Sequence, residues 1–184
     1  FGLKATWFIP AQMIEEHRET IEKILDGGHE IAHHGYDHKG LYGDTLAEQQ
    51  EYIGKCQDIF RKYTGKPAYG MRPTGALLPE TELWLYDQGG FRYSSAGTSG
   101  EGRGWYYVDE IRTKGINVPC RDEQMDDYVQ TVLNSYPAVL EGMPRIAPYD
   151  VVYSNWVREA EGMIRYGNSG SSAFHPQIGG TPGR

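Results

Sequence analysis

Three features are scarce in this chain of 184 residues, and each scarcity excludes a class of protein. No apolar run approaches the ~20 residues that a helix needs to cross a bilayer, and no signal peptide is visible. The basic residues form no cluster and the formal net charge is −7, so neither nucleic acid nor an anionic membrane is an expected partner. Cys56 and Cys120 lack paired spacing, which argues against a disulfide framework or a cysteine zinc site. Unpaired thiols favour the cytoplasm over export, although an export signal before Phe1 is left undetermined.

The composition that remains is ordinary for one soluble globular domain. Hydrophobic residues make up 39% of the chain and charged residues 23%, which is enough for a sizeable core. The predicted strands are 4–9, 30–33, 68–72, 91–94, 106–108, 116–118 and 172–174. The predicted helices are 11–26, 45–63, 79–88 and 149–166, while 125–136 fits either type. Strands and helices that alternate through short connections predict an α/β fold with parallel strands, in a single domain spanning 1–184.

One short stretch, 28–38, holds four of the six histidines. It begins as a strand and breaks at Gly35 into a loop, which would present His34 and His38 to one ion. Imidazole is the commonest metal ligand, although two histidines four residues apart are also common on ordinary surfaces. Because side chains alternate along a strand, His33 is predicted to point away from His34 and to be packed rather than ligating.

Three polar side chains from separate segments fall at or just past the ends of predicted strands: His34, Arg72 and His175. In barrel-type α/β folds, the carboxyl ends of the strands form the face on which active sites are built. Each residue taken singly also has an ordinary interpretation, since Arg72 could form a surface ion pair and His175 could cap a strand. The acidic pair Asp126 and Asp127 would most often be a solvated turn.

Six segments resemble, in order, the motifs of a known family: 5–10, 28–38, 71–73, 79–95, 125–128 and 174–184. They are similar to the motifs of the polysaccharide deacetylases (carbohydrate esterase family 4). The His-Gly-Tyr-x-His form at 34–38 resembles the branch that includes a Helicobacter peptidoglycan deacetylase and allantoinase-like proteins. The resemblance implies a distorted (β/α) barrel of the TIM-like kind, a divalent metal, with zinc expected, and hydrolysis of a non-peptide C–N bond.

The resemblance also implies roles for individual residues. His34 and His38 would be metal ligands, and His175 would be the general acid. Arg72 would orient and polarise the carboxylate base. Asp126 or Asp127 would tune the side of the site that holds the arginine and the histidine.

The sequence departs from the family pattern in three places. The first family motif, which would supply a third metal ligand and the general base, is expected upstream of Phe1. Pro73 follows Arg72 directly, whereas the common order is Arg-x-Pro, and the chain stops at Arg184. We therefore interpret the chain as a fragment and expect it to be inactive by itself.

Substrate-binding residues are predicted from position and chemistry. Trp105 lies in an otherwise polar, glycine-rich segment and is the best candidate to stack on a sugar ring. Tyr36 and Thr74, near the histidine pair and the arginine, are assigned to substrate binding as well.

The leading hypothesis is metal-dependent N-deacetylation of an N-acetylated sugar or polysaccharide. Amide hydrolysis needs an activated water, a polarised carbonyl and a proton for the leaving amine, which a bound metal and a histidine can supply. One alternative is an allantoinase-like hydrolase of a small amide, with or without a metal. A second alternative, from another class, is a non-catalytic carbohydrate-binding module. Homo-oligomer formation is left open.

Overall fold

A computed structural model describes residues 2–75, 77–95, 116–118, 125–128, 148–167 and 170–179. The chain forms two compact units, Phe1–Asn117 and Val118–Arg184, and the single domain predicted above stays a prediction. The strands are β1 (Thr6–Ile9), β2 (Glu30–His33), β3 (Gly70–Met71), β4 (Tyr93–Ser94) and β5 (Ile116–Asn117). The helices are α1 (Ala11–Glu16), α2 (Arg18–Asp26), α3 (Leu46–Thr64), α4 (Pro79–Asp87), α5 (Tyr149–Tyr166) and α6 (Pro176–Gly179).

The first unit is built on a parallel five-stranded sheet in the order β1-β2-β3-β4-β5. The strands lie in the order of the sequence, so each joins its neighbour by a parallel crossover, as the alternation of strands and helices predicted. One row of paired residues marks the carboxyl end of all five strands: Ile9, His33, Met71, Ser94 and Asn117. The residue after each member of this row therefore lies at the same edge of the sheet.

Local sequence signals explain where α3 begins and ends. The Thr45 hydroxyl accepts from the Glu48 backbone N–H and the Glu48 carboxylate accepts from the Thr45 backbone N–H, which forms a capping box. Gly65 ends the helix with a φ of 78°, a left-handed conformation that glycine adopts without strain.

The predicted helix 11–26 is wrong in one respect, because it is two helices that meet at His17. His17 leaves the helical region with φ −125° and ψ 48°, and its carbonyl accepts from the N–H groups of Thr20 and Ile21 at the start of α2. Ile14 and Ile21 are both buried, so the hydrophobic spacing gave no sign of the break.

The core of the first unit combines apolar side chains with fully bonded amides. Ile53 and Phe60 on α3 are buried, and Gln57 between them donates to the Ala68 carbonyl and accepts from the Ala68 N–H. Buried polar groups are tolerated when they are hydrogen-bonded in this way. Cys56 is a free buried thiol, as predicted, and burial raises its pKa to about 12. Cys120 lies outside the described residues.

The second unit is described through α5, α6 and two short segments. Val152 on α5 is buried, and the Trp156 ring meets Phe174 edge-on with centroids 4.8 Å apart. The predicted strand 172–174 is wrong in extent, since it makes only isolated bridges, one of them parallel between Ala173 and Asp126. None of the helices in the described parts of the chain is long and apolar enough for a transmembrane span.

Candidate active site

His34 and Arg72 meet at the carboxyl edge of the sheet, where the sequence placed them. Each directly follows a residue of the row that marks the carboxyl ends of the strands, which we call the edge row. The Arg72 N–H donates to the His33 carbonyl at 2.9 Å, and Nδ1 of His34 lies 2.6 Å from the Arg72 carbonyl oxygen. Because a carbonyl can only accept, Nδ1 carries the ring proton. The Nε2 atom of a neutral ring is then the nitrogen that can coordinate a metal, an arrangement typical of histidine ligands.

His38 stands beside His34, and the pair fits a metal. Their ring centroids are 5.0 Å apart and the rings are inclined at 72°. His38 has a φ of 63° and is the one non-glycine residue with positive φ in the described ranges. Such backbone strain concentrates at functional sites. Two neighbouring imidazoles, one with its tautomer fixed by a carbonyl, form a donor set that suits zinc or a similar divalent ion.

His33 has a structural role, which confirms the prediction that it is packed. Its ring is buried, stacked at 5.7 Å on Phe60 and edge-on to Phe91. Nδ1 of His33 accepts from the Gly35 N–H at 3.1 Å. Burial, with a smaller contribution from neighbouring His34, lowers the pKa of His33 to about 3. His33 therefore stays neutral, and its hydrogen bond with the Gly35 N–H stabilises the turn.

The loop 34–38, which we call the histidine loop, packs against the N-terminus of α1. The Ala11 N–H donates to the Gly35 carbonyl at 2.8 Å, and the Gln12 N–H donates to the Tyr36 carbonyl at 3.0 Å. The first N–H groups of a helix have no partner within the helix, so this loop supplies partners for two of them. The loop therefore has a fixed backbone on this side.

A residue that sequence reasoning missed, Tyr52 on α3, holds the loop from another side. Its hydroxyl accepts from the Tyr36 N–H at 2.7 Å and donates to Asp37 Oδ1 at 3.2 Å. Asp37 also forms a 2.7 Å ion pair with Lys39, whose ammonium group lowers the pKa of Asp37. Tyr52 precedes the core residue Ile53, and nothing in its spacing distinguished it from other polar positions on the helix.

The predicted substrate-binding residues are only partly described. Tyr36 is 36% exposed, and its hydroxyl donates to Glu15 at 3.3 Å; the Glu15 carboxylate raises the pKa of Tyr36. The Thr74 hydroxyl donates to the Lys39 carbonyl, at the other end of the histidine loop. Both side chains thus border the loop. Trp105 lies outside the described residues.

The remaining predicted residues cluster within the second unit. Asp127 Oδ1 lies 2.6 Å from Nδ1 of His175, and both carboxylate oxygens of Asp127 accept from the His175 backbone N–H. The Asp127 N–H donates to Ala173, two residues before His175, and this pairing brings the acid and the base together. Asp126 Oδ1 is 3.7 Å from the same Nδ1, and both aspartates are buried.

Asp126, Asp127 and His175 could also be considered as a metal site, because one ligand atom of each lies within 4.8 Å of the others. The shortest of these distances favours a different interpretation. Two ligands of one zinc ion at bond lengths near 2.0 Å are about 3.3 Å apart, whereas Nδ1 and Oδ1 are separated by 2.6 Å. That distance is typical of a charge-assisted hydrogen bond. The cluster is therefore a carboxylate–histidine pair with Asp126 beside it.

The first half of the chain matches a known family model. Residues 1–94 match the family model described as polysaccharide deacetylase, and the chain belongs to this family. It is 33% identical over 106 residues to a peptidoglycan deacetylase-like protein of Gibberella zeae, covering 58% of this chain and 31% of that protein. It is 34% identical over 83 residues to the peptidoglycan deacetylase of Helicobacter pylori, covering 45% of this chain and 27% of that protein.

Solved structures confirm the predicted fold class, a (β/α) barrel of the deacetylase type. A Mycobacterium smegmatis protein assigned to the polysaccharide deacetylases superimposes with a TM-score of 0.76 at 26% identity, over 97% of this chain and 60% of that one. The PuuE allantoinase superimposes with a TM-score of 0.75 at 19% identity, over 99% of this chain and 58% of that one. The matched region thus spans about a third of the curated relatives' length and about six-tenths of these structures.

Proposed function

We propose that this chain belongs to a metal-dependent hydrolase that removes the acetyl group from an N-acetylated sugar or polysaccharide. The observation that carries the proposal is the pairing of His34 and His38 at the carboxyl edge of the sheet, with the His34 tautomer fixed by the Arg72 carbonyl. The family supports the reaction class, and the two curated relatives are named for peptidoglycan.

The proposal assigns metal binding to His34 and His38, with zinc as the expected ion. When bound, a divalent ion polarises a carbonyl and makes water a nucleophile near neutral pH. The protein's part is to orient both imidazoles. At His34 the Arg72 carbonyl does this, because it holds a proton on Nδ1 and leaves Nε2 as the atom that can coordinate. A general base and a third ligand are expected from the family's first motif and are not assigned to residues of this chain.

Proton donation to the leaving amine is assigned to His175. With Nδ1 bonded to Asp127, the ring exchanges protons at Nε2. A carboxylate behind a histidine holds the ring in one tautomer and orientation and stabilises the imidazolium that forms. Asp126 adds a second carboxylate to this side, and the Asp127 contacts with the His175 backbone keep the ring from rotating away.

Arg72 is proposed to orient the carboxylate base, and Tyr36, Thr74 and Trp105 to contact substrate. The arginine's place at the edge row and the position of Tyr36 and Thr74 along the histidine loop support these assignments.

The test uses the full-length protein, with metal content and acetate release as readouts. N-acetylglucosamine oligomers are expected to be turned over, activity is expected to fall on chelation and to return with zinc, and ureides are expected to be inert. His34→Ala is expected to remove both metal and activity. His29→Ala is the matched control, because His29 lies before the opposite end of β2 and accepts from the Ala5 N–H. Turnover of ureides alone, or full activity in His34→Ala, would overturn the proposal.

A further inference from the structure

Tyr52 is the point at which α3 touches the histidine loop. Its hydroxyl accepts from the Tyr36 N–H at 2.7 Å and donates to Asp37 Oδ1 at 3.2 Å, and both partners lie between the two histidines. The ring packs against the core of the first unit. The hydroxyl therefore connects a rigid helix to the middle of the segment 34–38, which begins and ends with a metal-ligand candidate.

The backbone passes close to this hydroxyl. Gly35 has a φ of 76°, and a Cβ placed there would lie 3.2 Å from the Tyr52 oxygen. The chain turns at Gly35 and passes close to the Tyr52 hydroxyl at this point. Three residues after Gly35 it reaches His38 in its strained conformation, with a φ of 63°.

We propose that Tyr52 is a positioning residue for the metal site, which sets the distance and angle between His34 and His38 through the backbone of Tyr36 and the carboxylate of Asp37. This inference rests on the metal role proposed above for the two histidines. Among the bonds that reach the segment between the two histidines, the Tyr52 hydroxyl makes two, and one of them goes to Asp37, which directly precedes His38.

The physical reason is the cost of holding His38 in the left-handed region. Non-glycine residues keep such a conformation when the surrounding structure over-determines it. The Arg72 carbonyl bonds to the His34 ring itself. Tyr52 acts on His38 through the two residues that precede it, and Thr74 bonds to the carbonyl of Lys39, which follows it. Without the hydroxyl, His38 is expected to relax away from His34 when no ion is bound. Metal binding would then have to restore the pair, which lowers the affinity.

The test compares Tyr52→Phe with Tyr63→Phe in the full-length protein. Tyr63 is on the same helix and is also half-buried against the core. Its hydroxyl makes no hydrogen bond to the residues that the structure describes. Zinc affinity is measured by competition with a chromogenic chelator, and the thermal midpoint of each metal-free variant is measured in parallel. Tyr52→Phe is expected to bind zinc about tenfold more weakly, a loss typical of residues that orient metal ligands. Tyr63→Phe is expected to bind as the wild type does.

Asp37 provides a second pair of variants, in case Tyr52→Phe folds poorly. Asp37→Asn keeps an oxygen that can accept from Tyr52 and is expected to retain most of the affinity, whereas Asp37→Ala is expected to lose more. Unchanged zinc affinity in folded Tyr52→Phe would overturn the inference, as would an equal loss in both tyrosine variants. If the wild type and His34→Ala bind zinc alike, the metal role itself fails, which is a different result from a failure confined to Tyr52.

Discussion

The two histidine clusters of this chain are built from different partners. In the first unit, His34 is bonded to a neutral backbone carbonyl and His38 is placed by a loop. In the second unit, His175 is bonded to a carboxylate, with another carboxylate 3.7 Å away. A neutral acceptor orients an imidazole without adding charge, which suits a ligand, whereas a carboxylate stabilises the ring when it takes up a proton. This difference agrees with the roles proposed above, a metal ligand for His34 and a proton donor for His175.

The largest effect is expected from removing one of the two proposed metal ligands. In His34→Ala we expect loss of stoichiometric zinc together with deacetylation, because one imidazole remains of the pair. Metal content is read by elemental analysis of the purified protein. A variant that keeps its zinc would show that the ion binds elsewhere, with the Asp126, Asp127 and His175 group as the next candidate.

The second change targets the acid and should leave the metal in place. His175→Gln is expected to lower kcat by about 10²–10⁴-fold, the range for a general acid, while zinc content stays at the wild-type level. Asp127→Asn is expected to cause a smaller loss, because the amide still accepts a hydrogen bond through its oxygen. Steady-state kinetics with metal analysis on the same samples separate the two clusters; zinc loss in His175→Gln would contradict the division of roles.

A third comparison uses His33, which is adjacent to a proposed ligand but is buried. Its pKa of about 3 lies below the ordinary 6.5, so between these values the unfolded state binds the proton and the folded state does not. The contribution of His33 to the free energy of unfolding is therefore fully present above about pH 6.5. It is lost as the pH drops, by roughly 3 kcal/mol between pH 6.5 and pH 4. Urea unfolding at several pH values measures this. His33→Leu should lose that part of the pH dependence; an unchanged slope would assign acid sensitivity to other groups.

The prediction with the smallest expected effect tests whether the stability of α3 can change without changing the geometry of the histidine loop. Thr45→Ala removes the capping box and should lower the free energy of unfolding by about 1 kcal/mol. Zinc affinity should not change, because the Tyr52 hydroxyl stays in place, about two helical turns beyond the cap. If affinity falls along with stability, the loop responds to the helix as a whole rather than to Tyr52.

Much of the fold could be predicted because the relevant signals are local. Alternation along a strand separated His33 from His34, and the Thr45 and Glu48 pair marked the start of α3. The end of each predicted strand correctly placed His34 and Arg72 at one edge, since parallel strands bring their carboxyl ends together.

Two of the features that were not predicted depend on contacts distant in sequence, and a third, the helix break, is local. Tyr52 reaches the loop from α3 across fifteen residues, and Asp37 is one of its partners. The helix break at His17 depends on the chain's local φ and ψ and not on its hydrophobic pattern. The bond between Asp127 and His175 joins residues 48 apart. The motifs suggested a role for each residue, but spacing along the chain could not show which atoms would meet.

The docking of the histidine loop on α1 makes two amides into reporters of the site. The N–H groups of Ala11 and Gln12 are bonded to carbonyls of Gly35 and Tyr36, so their exchange with solvent deuterium requires the loop to lift. An ion that holds the loop closed should slow exchange at these two positions while leaving the interior of α3 unchanged. The opening of the proposed metal site can thus be timed from a neighbouring helix, without a probe on either histidine.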